Sequence, residues 1–347
     1  MSFCLNCVII HDMENINQFK KTFEKRNFYT TKDSGKVFLY ALIFPFVVGL
    51  VVSYVAMAVA SATGVTVTKG ENLLEVMLSK YLWFAVPFVM LTQIVFICLY
   101  FCYHKANRIK ISACNLSLKK ANIWTCLLSA LTGIICVGGF LLLVEGCFTK
   151  MFDVLGLESS STPLPFDSVG WLFLNLLLMG VVPAICEELL FRGVILQGLR
   201  ERFSPVVRVI LTGLLFALMH QSVTQLFYPF ILGCVLSVVM EKTNNLLYPI
   251  LVHMFNNFTT LILYYFLQNQ TFVVTWWFVL LAIAVAALTC VILWILYRFY
   301  LKKHTKIEVE QTGELTQTQP MSVGKFPMSL ICGVLLAIIF IVINAVG

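Results

Sequence analysis

The chain has 347 residues, of which 60% are hydrophobic and only 12% charged, whereas about a quarter of the residues in a soluble domain carry charge. This excludes a soluble globular protein and implies a polytopic membrane protein. The net charge of +7 does not point to nucleic acid, because the basic residues stand in short blocks beside apolar runs, as in cytoplasmic loops.

The first apolar run, Cys4 to Ile10, is too short and lacks a basic leader, so no cleaved signal peptide is expected. Met13 is a second candidate start, since a polar lead, Glu14 to Arg26, follows it. Cys4 and Cys7 form a single CxxC, which without a second pair is weak support for metal or redox chemistry. Most of the twelve cysteines fall in apolar runs, where they act as small apolar residues and imply no disulfide framework.

A helix needs about 20 apolar residues to cross a bilayer. In chain order the candidates are Val37–Ala60, Leu82–Tyr103, Ile123–Cys147, Val169–Leu199, Pro205–His220, Gln225–Met240, Leu246–Leu267, Phe272–Tyr297 and Phe326–Val346. The expected fold is therefore an all-α transmembrane bundle of eight or nine helices. It divides into an N-terminal segment 1–36, N-terminal helices in 37–165, a central core in 166–270, and C-terminal helices in 271–347 with a polar linker at 302–325. Basic residues flank alternate turns: Lys20 to Lys36, Lys105 to Lys120, Arg200 to Arg208, and Arg298 to Lys306. The positive-inside rule makes that side, and the N-terminus, cytoplasmic. Val169–Leu199 is long for one simple crossing, and Pro183 predicts a kink within it.

Charge is costly inside such a helix, so the segment Cys186-Glu187-Glu188-Leu189-Leu190-Phe191-Arg192 marks a functional site by default. Adjacent helix positions are about 100° apart, so the two glutamates face different ways. Arg192 follows Glu188 by four residues, the favourable order for an ion pair. Glu188 and Arg192 are therefore expected to support the structure, and Glu187 to be the reactive carboxylate. Of the five histidines, only two lie in or at the end of apolar spans. His220 stands in Phe216…His220, an FxxxH, and His253 stands four residues before Asn257 on one helix face.

Counted at 1.5 Å per residue, Glu187 and His220 lie at nearly one depth, roughly 23 to 27 Å from the Arg202 turn, and His253 lies about 12 Å from the Asn244 turn. The levels reconcile if the Arg200–Arg202 turn protrudes while the Asn244 turn stays at the membrane surface.

A carboxylate and an imidazole sharing a water can make it a nucleophile, and His253 with Asn257 can donate to an oxyanion. No GxSxG or HExxH is present, which favours water over a protein nucleophile. Zinc held by Glu187, His220 and His253 is the alternative. Each motif taken singly also fits a structural role, as boundary ion pairs or an interhelical clasp. A scaffold or a proton-coupled transporter remains a second function class.

Together, Glu187-Glu188…Arg192, Phe216…His220 and His253…Asn257 resemble, in order, the EExxxR, FxxxH and HxxxN/B motifs of the CPBP or Abi family of CAAX proteases and bacteriocin-processing enzymes. The resemblance covers about Trp171–Thr260. It implies an intramembrane endopeptidase in which Glu187 and His220 activate water and His253 and Asn257 form the oxyanion hole. It implies a peptide or lipidated protein substrate in the bilayer, or bacteriocin processing or immunity. The glutamate mechanism needs no cofactor.

Overall fold

The structure is a computed structural model that describes residues 25–64, 81–119, 121–141, 164–267, 275–291 and 327–346, with a few isolated positions between them. The Cys4–Cys7 pair, Met13 and the 302–325 linker lie outside the described residues. Those described form nine helices: α1 (Thr31–Thr63), α2 (Leu82–Ala106), α3 (Ile123–Leu141), α4 (Val169–Leu199), α5 (Pro205–Met219), α6 (Phe227–Thr243), α7 (Leu247–Leu267), α8 (Trp276–Val291) and α9 (Met328–Val346). Five of them, α1, α2, α3, α4 and α7, are long and apolar enough to cross a membrane. The outside of the bundle is apolar as well. Val51, Tyr54, Phe173, Trp276 and Trp277 are all exposed, as expected of a lipid-facing surface. The protein is an integral membrane helical bundle.

Several boundaries differ from expectation. Helix α1 begins six residues before Val37 because Thr30 and Asp33 form a capping box, with each side chain bonded to the other's backbone. Asp33 is held further by both Arg26 guanidinium nitrogens (2.7 and 2.8 Å) and by the Tyr103 hydroxyl (2.6 Å). Helix α3 is described only to Leu141, so the rest of the run to Cys147 lies outside the described residues. Helices α5 and α6 are 15 and 17 residues long, shorter than a full crossing. They form a close antiparallel hairpin, in which a Cβ built on Gly233 would lie 2.9 Å from the Gly213 Cα. Small residues at such a crossing let two backbones approach.

The basic turns gather at one end of the bundle. Arg26 and Arg108 bond through their backbones at 3.0 Å, Asn245 Nδ2 donates to Ser117 O at 2.8 Å, and Thr31 N donates to Glu201 Oε2 at 2.7 Å. At the same end Arg200 Nη1 donates to Asn244 Oδ1 at 3.1 Å, and Arg208 pairs with Glu241 at 2.6 Å.

Arg200 thus reaches the Asn244 turn with its side chain. Helix α4 contains two π segments, Leu176–Val181 and Phe191–Ile195, around an α segment, Val182–Leu190. A π turn spends an extra residue per hydrogen-bonded ring, so the one between Glu187 and the Arg200 turn shortens the counted depth by about 1.5 Å. Pro183, where a kink is expected, does not interrupt the helix. The helix continues from Val169 to Leu199, and Pro183 sits just after the first π segment, which accommodates its missing donor.

Candidate functional site

The two π segments bracket Glu187 and Glu188, which lie inside the bundle on Val182–Leu190. Single-turn π segments recur at functional sites because they re-aim side chains without ending the helix.

Glu188 is fully buried, and its Oε1 accepts from Arg192 Nη1 at 2.7 Å and from His253 Nδ1 at 3.0 Å. The carboxylate therefore joins α4 to α7 as well as to its own next turn. Arg192 is also fully buried, and its Nη2 donates to Gly233 O on α6 at 2.7 Å. One ion pair thus ties three helices together. The pairing with Arg192 follows from the i,i+4 spacing. The bond to His253 does not, and it gives Glu188 a second task.

That bond settles which imidazole nitrogen is which. A carboxylate only accepts, so His253 Nδ1 carries the proton and Nε2 faces the other way. Its neighbour there is Glu187, whose Oε2 lies 4.0 Å from His253 Nε2. The distance exceeds a direct hydrogen bond. Glu187 is 9% exposed, against 0% for Glu188.

His220 caps the C-terminal end of α5, and Gln221 beyond it takes a left-handed backbone at φ +53° that stops the helix. Its Nδ1 donates to Phe216 O at 2.9 Å, which again leaves Nε2 to face outward. Phe216 links the histidines. Its ring lies edge-on to His220 at 5.2 Å and to His253 at 5.7 Å, and the Arg192 guanidinium sits 4.7 Å from its centroid. An aromatic face attracts a cation, so Phe216 packs the arginine while spacing the imidazoles.

Asn257 lies one turn beyond His253. Its Nδ2 donates to Met179 O at 3.3 Å and its Oδ1 accepts from Asn256 Nδ2 at 3.2 Å. Of the four residues expected around one water, the structure sets Glu187 and His253 face to face, places His220 across Phe216, and runs the contacts of Asn257 to Met179 and Asn256. For the zinc set Glu187, His220 and His253, His253 already spends Nδ1 on Glu188. Among the described residues no three His, Cys, Asp or Glu side chains gather closely enough to hold a metal ion.

The three motifs thus lie on α4, α5 and α7. Residues 169–259 match the family model of the type II CAAX prenyl endopeptidases, Rce1-like. This Rce1-like segment runs from the start of α4 to the middle of α7 and holds every residue of the site described above. An uncharacterised 24.3 kDa protein of Escherichia coli is 33% identical over 92 residues, covering 25% of this chain and 42% of that protein. The chain thus spans less than half the length of this relative. No solved structure matches. Helices α1, α2, α3, α8 and α9 lie outside the Rce1-like segment, and α1 and α3 pack closely against it. Ser34 Oγ on α1 donates to Ile195 O at 2.8 Å, and Gly133 on α3 lets the α7 backbone approach at Val252 and Asn256.

Sequence reasoning missed Phe216 as the spacer of both histidines, the Glu188–His253 bond, and the Gly233 and Met179 carbonyls as partners. The spacing of the FxxxH motif held a signal for the first, since residues four apart share a helix face. The others involve long-range packing and main-chain oxygens, which no side-chain pattern announces.

Proposed function

We propose that the protein is an intramembrane endopeptidase that hydrolyses a peptide bond in a lipidated substrate, of the CAAX type, by water activated at Glu187. The observation that carries this reading is the facing pair Glu187 and His253, 4.0 Å apart between Oε2 and Nε2, with His253 held in one tautomer by Glu188. A gap of that length suits a bridging water better than a direct bond. Glu187 takes the proton of that water, and His220, with Nε2 directed away from its bond to Phe216 O, assists. His253 Nε2, the unprotonated nitrogen of that tautomer, accepts from the water, and Asn257 Nδ2 donates to the oxyanion, where one well-aimed donor contributes about 3 kcal/mol. Glu188 and Arg192 hold His253 and Phe216 in place. The route uses no cofactor.

The match to a CAAX prenyl endopeptidase model supports a prenylated substrate. The cluster of basic turns at one end of the bundle supports a cytoplasmic placement of that end, and of the N-terminus, by the positive-inside rule. From that end Glu187 is 13 residues up α4 from Arg200 and His253 six residues up α7 from Leu247, so the site lies roughly 10 to 20 Å inside.

The test uses purified protein in liposomes and a farnesylated CAAX peptide. The wild type releases the C-terminal tripeptide, while Glu187→Gln and His220→Ala lower the rate by at least about a hundredfold, as expected when an acid–base group is lost, with unchanged thermal stability. Full activity in either variant refutes the assignment.

A further inference from the structure

Tyr228 and Asn256 belong to none of the three motifs, yet their hydrogen bonds end on Asn257. Met179 O, a main-chain carbonyl, can only accept, so the Asn257 atom 3.3 Å from it is the amide nitrogen. This turns Asn257 Oδ1 toward Asn256, whose Nδ2 donates at 3.2 Å. Asn256 then presents its own Oδ1 to the Tyr228 hydroxyl, which donates in a short bond. Every direction in the series is forced from one end. Met179 O is open to a side chain because Pro183, four residues on, has no N–H to give it. Asn256 is buried and its backbone carbonyl accepts from Thr260 Oγ1 at 3.1 Å, so it has little freedom to leave the series.

A carboxamide is nearly symmetric in shape, and a 180° turn exchanges donor for acceptor. An acceptor aimed at an oxyanion repels it. We propose that Tyr228 and Asn256 are positioning residues: their relay fixes the Asn257 carboxamide with its oxygen consumed and its nitrogen as the only group left to offer the site. The kinetic consequence rests on the proteolytic reading above, whereas the relay itself is a matter of hydrogen bonds.

The experiment is a double-mutant cycle in liposomes with the farnesylated CAAX peptide. Tyr228→Phe keeps the ring and deletes the terminal donor, and the loss of one hydrogen bond of ordinary strength predicts a fall in kcat of about 3- to 10-fold with KM unchanged. Asn256→Asp still accepts from Tyr228 but, ionised, cannot donate to Asn257. It should lose at least as much, about 10-fold or more. In an Asn257→Ala background, Tyr228→Phe should cost nothing further, because the group it positions is gone. Multiplicative losses in kcat, or a Tyr228→Phe protein with wild-type kcat, overturn the proposal. The same Tyr228→Phe and Asn257→Ala cycle read in Tm separates the two claims. Non-additive Tm shifts with a wild type that cuts no peptide refute the protease and leave the relay standing. Additive Tm shifts refute the relay whatever the activity.

Discussion

Removing the Glu188 carboxylate should cost this protein more stability than removing any other single charge at the site. Glu188 and Arg192 are both 0% exposed and lie 2.7 Å apart. In Glu188→Ala the guanidinium keeps one protein partner named here, Gly233 O at 2.7 Å, and stays buried as an uncompensated charge. Breaking such a pair from one side costs about 3 to 5 kcal/mol. At roughly 2 to 4 °C per kcal/mol for chains of 150 to 250 residues, and less for a longer chain, the expected drop in Tm is on the order of 5 to 15 °C. Activity should be lost as well, because His253 loses the acceptor that orients it.

A second variant separates the two effects. Replacing both partners by apolar residues of similar volume, as in Glu188→Leu with Arg192→Met, removes the stranded charge and is often neutral for stability. The double variant should regain most of the Tm and remain inactive. The assay is thermal unfolding in detergent followed by intrinsic fluorescence, alongside peptide cleavage. A Glu188→Ala protein within about 1 °C of wild type would refute the reasoning, since a guanidinium that tolerates the loss is not truly desolvated.

Three further outcomes are expected. Pro183→Ala restores an N–H that can bond Met179 O and compete with Asn257, so kcat should fall several-fold in the cleavage assay while Tm holds or rises slightly. Gly133→Ala places a methyl group against the Val252 carbonyl and the Asn256 nitrogen of α7. It should cost about 1 to 3 kcal/mol by overpacking, read as a lower Tm, together with reduced activity because α7 carries His253 and Asn257. Elemental analysis of the purified protein should find less than one zinc per chain, and chelator treatment should leave cleavage intact. Stoichiometric zinc lost together with activity would reinstate the metal reading.

Much of the helical architecture was legible from composition and apolar run length, because a bilayer imposes one length scale on every span. The limits of the runs were less so. Hydropathy placed the start of α1 at Val37, but Thr30 and Asp33 begin it earlier through local capping that ignores hydropathy. It offered α5 and α6 as full spans, although their 15 and 17 residues are short for a crossing. The ion pair of Glu188 with Arg192 followed from i,i+4 geometry alone. Its bond to His253 did not, since it joins residues 65 apart in sequence. The depth estimate assumed a uniform α-helical rise, and the π segments of α4, which shorten it slightly, leave no composition signal. Gln221 is another such case. Nothing in its residue type announces φ +53°, a conformation that favours glycine or asparagine, yet it ends α5 at His220.

Three of the hydrogen bonds that build this site terminate on main-chain oxygens: Phe216 O for His220, Gly233 O for Arg192 and Met179 O for Asn257. A backbone oxygen survives any substitution of the side chain that accompanies it. Alanine scanning would therefore report Met179 as silent, and drift among sequences would leave that position looking unconstrained, although the site leans on it. The constraint is displaced onto residues that touch nothing reactive: a proline that withholds an amide four positions later, and paired glycines that let one helix reach another's backbone. Variants that alter helix path should then damage the chemistry from positions where a side-chain inventory sees no reason to look.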